Sequence, residues 1–240
     1  MSACASGAEA LALGQDLIRG GRADVEACLH PFTLAAFAQM KDLSTRSADP
    51  EAVSRPFDAG RSGFVMGEGA GMMVLECAGF ARARGARAYG TLAGSAVSSS
   101  ADHITASDPR GQALAMELAL RDAGLTPADI GVVHAHATST ESGDLAEAEA
   151  IGRVIGSHAA VTATKSMTGH MLGTSGTIGA MAALLALEDG TLPATRNLDV
   201  LDPRVELDVV RGEPRTGRWS AALANAFGFG GHNVSLVFTR

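Results

Sequence analysis

Apolar residues recur at intervals of three and four along several stretches of the chain, which is the spacing of one helical face. In residues 6–20 that face is Ala8, Leu11, Ala12 and Ile18, and Gly20-Gly21 ends it. QALAMELALRDAGL, residues 112–125, repeats the period and stops at Gly124. Shorter helices are predicted over 78–85 and from about Gly143 to Ile155. GTSGTIGAMAALLALE, 173–188, is apolar on nearly every side, so this helix is expected to be buried all round and closed by Gly190 and Pro193.

Between the helices run segments with strand character: 89–100, 132–136, 161–166, and a last strand pair at about 205–210 and 232–239. GFVMGEGAGMMVLE, 63–76, has apolar residues on both sides of its alternation and predicts a glycine-interrupted, buried strand pair. Residues 44–61 are polar and turn-rich and predict a loop, whereas EACLHPFTLAAFAQMKDLS gives no clear pattern. Strands alternating with helices make this an α/β protein with a largely parallel sheet and an antiparallel end.

Composition narrows the function. The net charge is 19 − 26 = −7 and no run of Lys or Arg occurs, which argues against a nucleic-acid partner. The three cysteines, Cys4, Cys28 and Cys77, form no CxxC pair, so neither a zinc site nor a redox dithiol is expected. No signal peptide and no membrane span are read, and a reducing cytoplasm is the default location. Any basic patch would be built from dispersed residues such as Arg46, Arg55 and Arg61.

Four local features carry candidate chemistry. Cys4 stands at the start of the first helix, where unpaired N–H groups and the helix dipole favour a thiolate; a small buried hydrophobe is the alternative. HAHATSTESGD, 134–144, puts histidines at the carboxyl end of a strand, the usual place for function in open α/β sheets. His134 and His136 alternate, so only one can face a site. TKSMTGH, 164–170, brings a lysine and a histidine to another strand end, and Lys165, if buried, needs a carboxylate such as Glu147. NAFGFGGHN, 225–233, has glycines that permit close backbone approach; taken alone it reads as a tight hairpin.

In this order, Cys4, HAHATST, ATKSMTGH and NAFGFGGHN together resemble the β-ketoacyl-acyl carrier protein synthases, the condensing enzymes of fatty-acid and polyketide synthesis. LSTRSADPEAVSRPFDAGRSGFVMGEGAGMMVLE is also very like the matching part of that family, and HATST and GFGGHN look closest to its actinobacterial elongating enzymes. The resemblance implies a thiolase-like fold with αβαβα layers and a decarboxylative Claisen condensation. It puts the acyl-accepting nucleophile on Cys4, the malonyl-binding pair on His136 and His170, and the oxyanion donors on the amides of Cys4 and Phe229. Lys165 and Glu147 would support the site electrostatically, and Phe229 would gate it. His134 stands where the family usually has Asn and is read as structural. The implied partner is acyl carrier protein bearing acyl and malonyl thioesters, with no metal and no organic cofactor.

Two departures set further expectations. Everything that precedes Ser2 in the family's N-terminal half has no counterpart here, including a strand that pairs across the family's homodimer. Val25 also runs directly into Glu26 where relatives carry a further strand. Residues 1–85 are therefore expected to be an incomplete N-terminal half beginning at the nucleophile, and 86–240 an intact C-terminal half. The chain is expected to be a fragment, a degraded gene or a product of a start codon inside a longer frame, with catalytic residues present but poorly held. A non-catalytic acyl-binding partner subunit, a polyketide ketosynthase and an inactive product are the alternatives. A biosynthetic thiolase is disfavoured because no cysteine follows Cys77.

Overall fold

The structure is a computed structural model and describes residues 2–18, 29–46, 48–101 and 103–240, leaving aside the side chains of 14–18. The expected Gly20-Gly21 helix end, the Val25-Glu26 junction, Cys28 and the side chain of Ile18 lie outside the described residues. The fold is organised around one six-stranded mixed sheet. Its strands are β1 (Thr91–Ser99), β2 (Ile130–His134), β3 (Ala160–Thr162), β5 (Asp208–Val209), β7 (Ala221–Gly228) and β8 (His232–Thr239), in spatial order β1-β8-β7-β2-β3-β5. β2, β3, β5 and β7 run parallel, and β8 pairs antiparallel with both β7 and β1. A separate ribbon pairs β4 (Thr191–Leu192) with β6 (Arg215–Thr216).

Helices cover both faces. On one side α4 (Pro109–Ala123) and α5 (Glu141–Val154) place Met116, Ala119, Ala150 and Ile151 against Val133, Val161 and Leu223. On the other, α1 (Ser6–Ile18) and α7 (Gly173–Asp189) pack Ala8, Leu11, Ala183 and Leu187 against Val132, Ala222, Ala224 and Leu236. The described residues thus build three layers, helix on sheet on helix. α4 starts as the sequence dictates: Pro109 opens the first turn, the Asp108 carboxylate accepts the N–H groups of Arg110 (3.0 Å) and Gly111 (3.2 Å), and Gly124 closes it at φ 66°.

Several expectations need correction. The 63–76 segment is not a strand pair. Exposure alternates residue by residue only from 67 to 75: Met73 and Leu75 turn toward the sheet, while Met72 and Val74 are 74% and 84% exposed. Among the described residues, 68–76 make no backbone-to-backbone hydrogen bond, so alternation is present without a ladder. The 161–166 strand ends at Thr162, because Lys165–Thr168 wind into one helical turn, α6. Segments 205–210 and 232–239 are not partners: β5 pairs with β3 at one end of the sheet, and β8 forms a hairpin with β7 instead. β7 escaped the sequence pattern because AALANAFG is rich in alanine, a poor strand former; burial between two helical layers selects these small side chains. α7 is not buried all round either, since Leu185 is 41% exposed. The unreadable stretch after residue 29 contains a helix, α2 (Pro31–Gln39), started by Pro31 and capped by the His30 ring, which accepts the Phe32 N–H at 3.2 Å. The remaining short helix, α3 (Ala78–Ala83), falls within 78–85 as expected.

α1 and α7 meet through glycine. A methyl group on Gly176 would lie 2.7 Å from the Ala8 nitrogen, and one on Gly7 would lie 2.6 Å from Thr177 Oγ1 and collide with the Gly173 carbonyl. Only hydrogen fits at either place. Gly176→Val should therefore force the helices apart and cost roughly 1–3 kcal/mol. Chemical denaturation should show a clearly lowered midpoint, and an unchanged midpoint would contradict the backbone contact.

Candidate active site

Cys4 belongs to a 3-10 turn, Ala3–Ala5, that runs straight into α1. Ala3 is held at φ 47°, a left-handed conformation costly for a residue with a Cβ, and the Ala5 N–H closes the turn on the Ser2 carbonyl at 3.0 Å. The outcome is a thiol only 6% exposed at the amino end of α1. Gly228, at the end of β7, lies against this turn: a methyl group there would be 2.5 Å from the Ser2 carbonyl and 3.2 Å from the Cys4 nitrogen. The turn carrying Phe229 thus shares a wall with the Cys4 amide, and both residues line one open cleft.

His136 and His170 line the same cleft, their ring centroids 5.3 Å apart and their planes at 85°. Phe227 lies beside the first ring, and Phe64 stands edge-on to the second. His170 is fixed by its backbone, whose N–H donates to the Val65 carbonyl at 2.7 Å and whose carbonyl accepts the Gly67 N–H at 3.0 Å. The extended segment that fails to form a strand pair therefore has a local function, because its first residues clamp His170.

Both imidazoles are held neutral. Burial drives each well below the usual histidine range, and the Lys165 ammonium lowers both further. Lys165 Nζ lies 3.4 Å from His136 Nδ1. An ammonium only donates, so that nitrogen is the acceptor and the proton resides on Nε2. At His170, Nδ1 is 3.1 Å from Ser175 Oγ, which already accepts the Met171 N–H. The serine keeps its hydrogen and a second lone pair, so the contact suits either tautomer of His170; with the hydroxyl hydrogen given to Nδ1, Nε2–H becomes the ring's donor.

The expected carboxylate for Lys165 requires a correction. Its ammonium donates to the His136 carbonyl rather than to Glu147. Glu147 instead accepts the backbone N–H groups of His136 (2.8 Å) and Ala137 (2.7 Å) and the Asn225 side-chain amide (3.1 Å). The two charges therefore act on His136 from either side through its backbone. Lys165 is 3% exposed; burial brings its pKa down to about 8, while Glu147, Cys4 and Asp144 oppose that shift.

Asp144, one turn before Glu147, was not legible in the motifs. Its carboxylate accepts the N–H groups of Phe57 (2.8 Å) and Ser139 (3.1 Å), both residues in the left-handed region at φ 64° and 72°. Burial raises its pKa to about 7 against these hydrogen bonds and against Arg61 at 3.6 Å. Asn225 and Ser175 were also missed, and a polar residue inside a buried apolar element was the available signal for both. Arg61 and Arg55 form no basic patch: Arg61 is buried on Asp202 (2.8 Å), and Arg55 pairs with Asp58 and Asp199. His134 points away from the cleft, as its alternation with His136 required, and bonds Thr164 Oγ1 at 2.8 Å.

Comparison with known proteins gives a consistent result. The family profiles for the beta-ketoacyl synthase N-terminal and C-terminal domains match residues 1–81 and 89–199. The whole chain is 45% identical to 3-oxoacyl-[acyl-carrier-protein] synthase 2 of Synechocystis and 44% identical to that of Mycobacterium tuberculosis, and covers 60% of each. A beta-ketoacyl synthase from Burkholderia phymatum superposes with a TM-score of 0.95 at 38% identity, over all of this chain and 60% of that one. A type II ketosynthase solved in complex with its acyl-carrier protein gives 0.93 at 32% identity, over 99% and 61%. The chain thus spans about 60% of the length of the curated relatives it matches.

The buried histidines make stability depend on pH without any ligand. Burial lowers the His134 pKa to about 3 in the folded chain, whereas the unfolded value is about 6.5. A lowered pKa contributes stability that is present above pH 6.5 and lost as pH falls toward 3. Moving from pH 7.5 to 5, His134 alone should cost the native state about 2 kcal/mol. Denaturant titrations of wild type and His134→Asn at both pH values test this. The variant should gain about that amount relative to wild type at pH 5, and parallel pH curves would refute the assignment.

Proposed function

The chain belongs to the β-ketoacyl synthase family, and on that premise we propose that its cleft carries out carbon–carbon bond formation between two carrier-protein thioesters. No helix among the described residues is long and apolar enough to cross a membrane, and the proposed setting is the cytoplasm. Residues 1–85 and 86–240 are read as portions of the family's N-terminal and C-terminal halves, and its homodimer is the assembly to test by sedimentation. The proposed substrates are acyl and malonyl thioesters of acyl carrier protein, in fatty-acid elongation or in the related polyketide chemistry.

In the first step the Cys4 thiolate attacks the acyl thioester carbonyl. The helix start favours the thiolate, and the amides of Cys4 and Phe229 are the proposed donors to the oxyanion. Collapse of the intermediate leaves the acyl group on Cys4 and releases the carrier thiol. In the second step a malonyl thioester binds, and the Nε2–H groups of His136 and His170 donate to its thioester oxygen. Loss of CO₂ leaves an enolate whose charge those two donors stabilise. Its carbon attacks the acyl-Cys4 carbonyl, giving a 3-oxoacyl thioester and restoring the thiolate. No metal or organic cofactor enters this scheme.

The observation that carries the reading is the pair of crossed neutral imidazoles, whose Nδ1 atoms are taken up by Lys165 and Ser175 and whose Nε2 atoms are left for a ligand. Two such donors suit one oxygen that gains negative charge. Lys165 and Glu147 are the positioning residues for His136.

The experiment is intact-mass measurement after incubation with acyl-acyl carrier protein. Wild type should gain one acyl mass and Cys4→Ala none. His136→Ala and His170→Ala should still acylate but lose at least about 100-fold in CO₂ release from malonyl thioester, the scale of a positioned donor. A folded wild-type chain with no mass gain would favour the acyl-binding, non-catalytic alternative.

A further inference from the structure

Gln112 is 3% exposed, lines the cleft, and has no side-chain hydrogen-bond partner: its Oε1 is buried and unpaired. An orphaned buried acceptor costs about 1–3 kcal/mol, and native proteins leave few of them. The side-chain amides that β7 and β8 place beside α4 are already committed. Asn233 Nδ2 reaches Ser98 Oγ, Ser100 Oγ and the Gly231 carbonyl. Asn225 Nδ2 is held by Glu147, with Met116 sulfur at 3.8 Å. The hydroxyls of Thr138 and Thr140 meet each other at 3.0 Å.

The position is built rather than accidental. Gln112 and Met116 are one helical turn apart on the inner face of α4, and the backbone at 112 is anchored by its N–H to the Asp108 carbonyl at 3.1 Å. A second wall of the cleft repeats the theme, since Asp42 Oδ2 is also buried without a partner. A cleft with two unsatisfied acceptor atoms selects a ligand that brings hydrogen-bond donors. A bare acyl chain or a thioester carbonyl has none, whereas a secondary amide has its N–H.

We infer that Gln112 is a specificity residue whose Oε1 accepts a hydrogen bond from an amide N–H in the arm that carries the thioester. This rests on the reading of the cleft as a carrier-protein thioester site. Two consequences have opposite signs. Removing the orphaned acceptor relieves the empty chain, so it becomes more stable, while the ligand loses a partner and binds more weakly. A side chain that served only the fold would move both quantities the same way.

The test is calorimetric titration with S-propyl pantetheine, an unreactive thioether with two secondary amides, and with its analogue bearing ester oxygens in place of the amide N–H groups. Wild type should bind the amide arm about tenfold more tightly than the ester arm. Gln112→Met, nearly the same shape, should lose that preference and unfold at a higher temperature without ligand. Gln112→Glu, which retains an acceptor, should keep the preference. A Gln112→Met variant that retains the amide preference, or that melts lower than wild type, overturns the inference. So does a wild type indifferent to the two arms: if it still acylates Cys4, this inference alone fails, and if it does not, the functional reading fails with it.

Discussion

Two carboxylates one turn apart on α5 hold the loop on which the rest of the site depends. Glu147 ties the amides of His136 and Ala137, and Asp144 ties Ser139 and, across the chain, Phe57. Each carboxylate thereby fixes backbone that would otherwise be strained or unpaired in a dry interior. Burying two acids costs free energy, seen as the upward push on both pKa values, and the amide donors offset that cost. The helix is thus a rigid rail, and His136, two residues past the end of β2, takes its position from that rail.

The same logic sets protonation. Lys165 is the cation inside this shell, and it turns its ammonium to the carbonyl and Nδ1 of His136. That contact both fixes the tautomer of His136 and keeps a second positive charge out of the cleft. Ser175 holds the Nδ1 side of His170 without charge. One histidine is held by a cation and the other by a hydroxyl, and both contacts are made at Nδ1.

Much of this was readable from the residues. The apolar period located α4 and α7, strand alternation separated His134 from His136, and the ordered motifs brought Cys4, His136 and His170 into one scheme. What escaped was long-range. The bond from Asp144 to Phe57 joins residues 87 apart, and nothing local in SGDLAEAEA distinguishes a carboxylate that will be buried from one that will be solvated. Charge alone makes Glu147 a candidate partner for Lys165, but the backbone of His136 stands between them. β7 was missed because alanine carries little strand preference of its own, so only the layers packed on it define its conformation.

The extended run after Gly67 has a consequence outside the cleft. Its first residues grip His170, but farther along the backbone stands without a ladder while Met72 and Val74 face outward. Such an edge is a template for any passing polypeptide in extended form, including another copy of itself. Pairing through an edge of that kind grows with concentration and is independent of fold stability. The segment that steadies one histidine thus also turns apolar side chains outward.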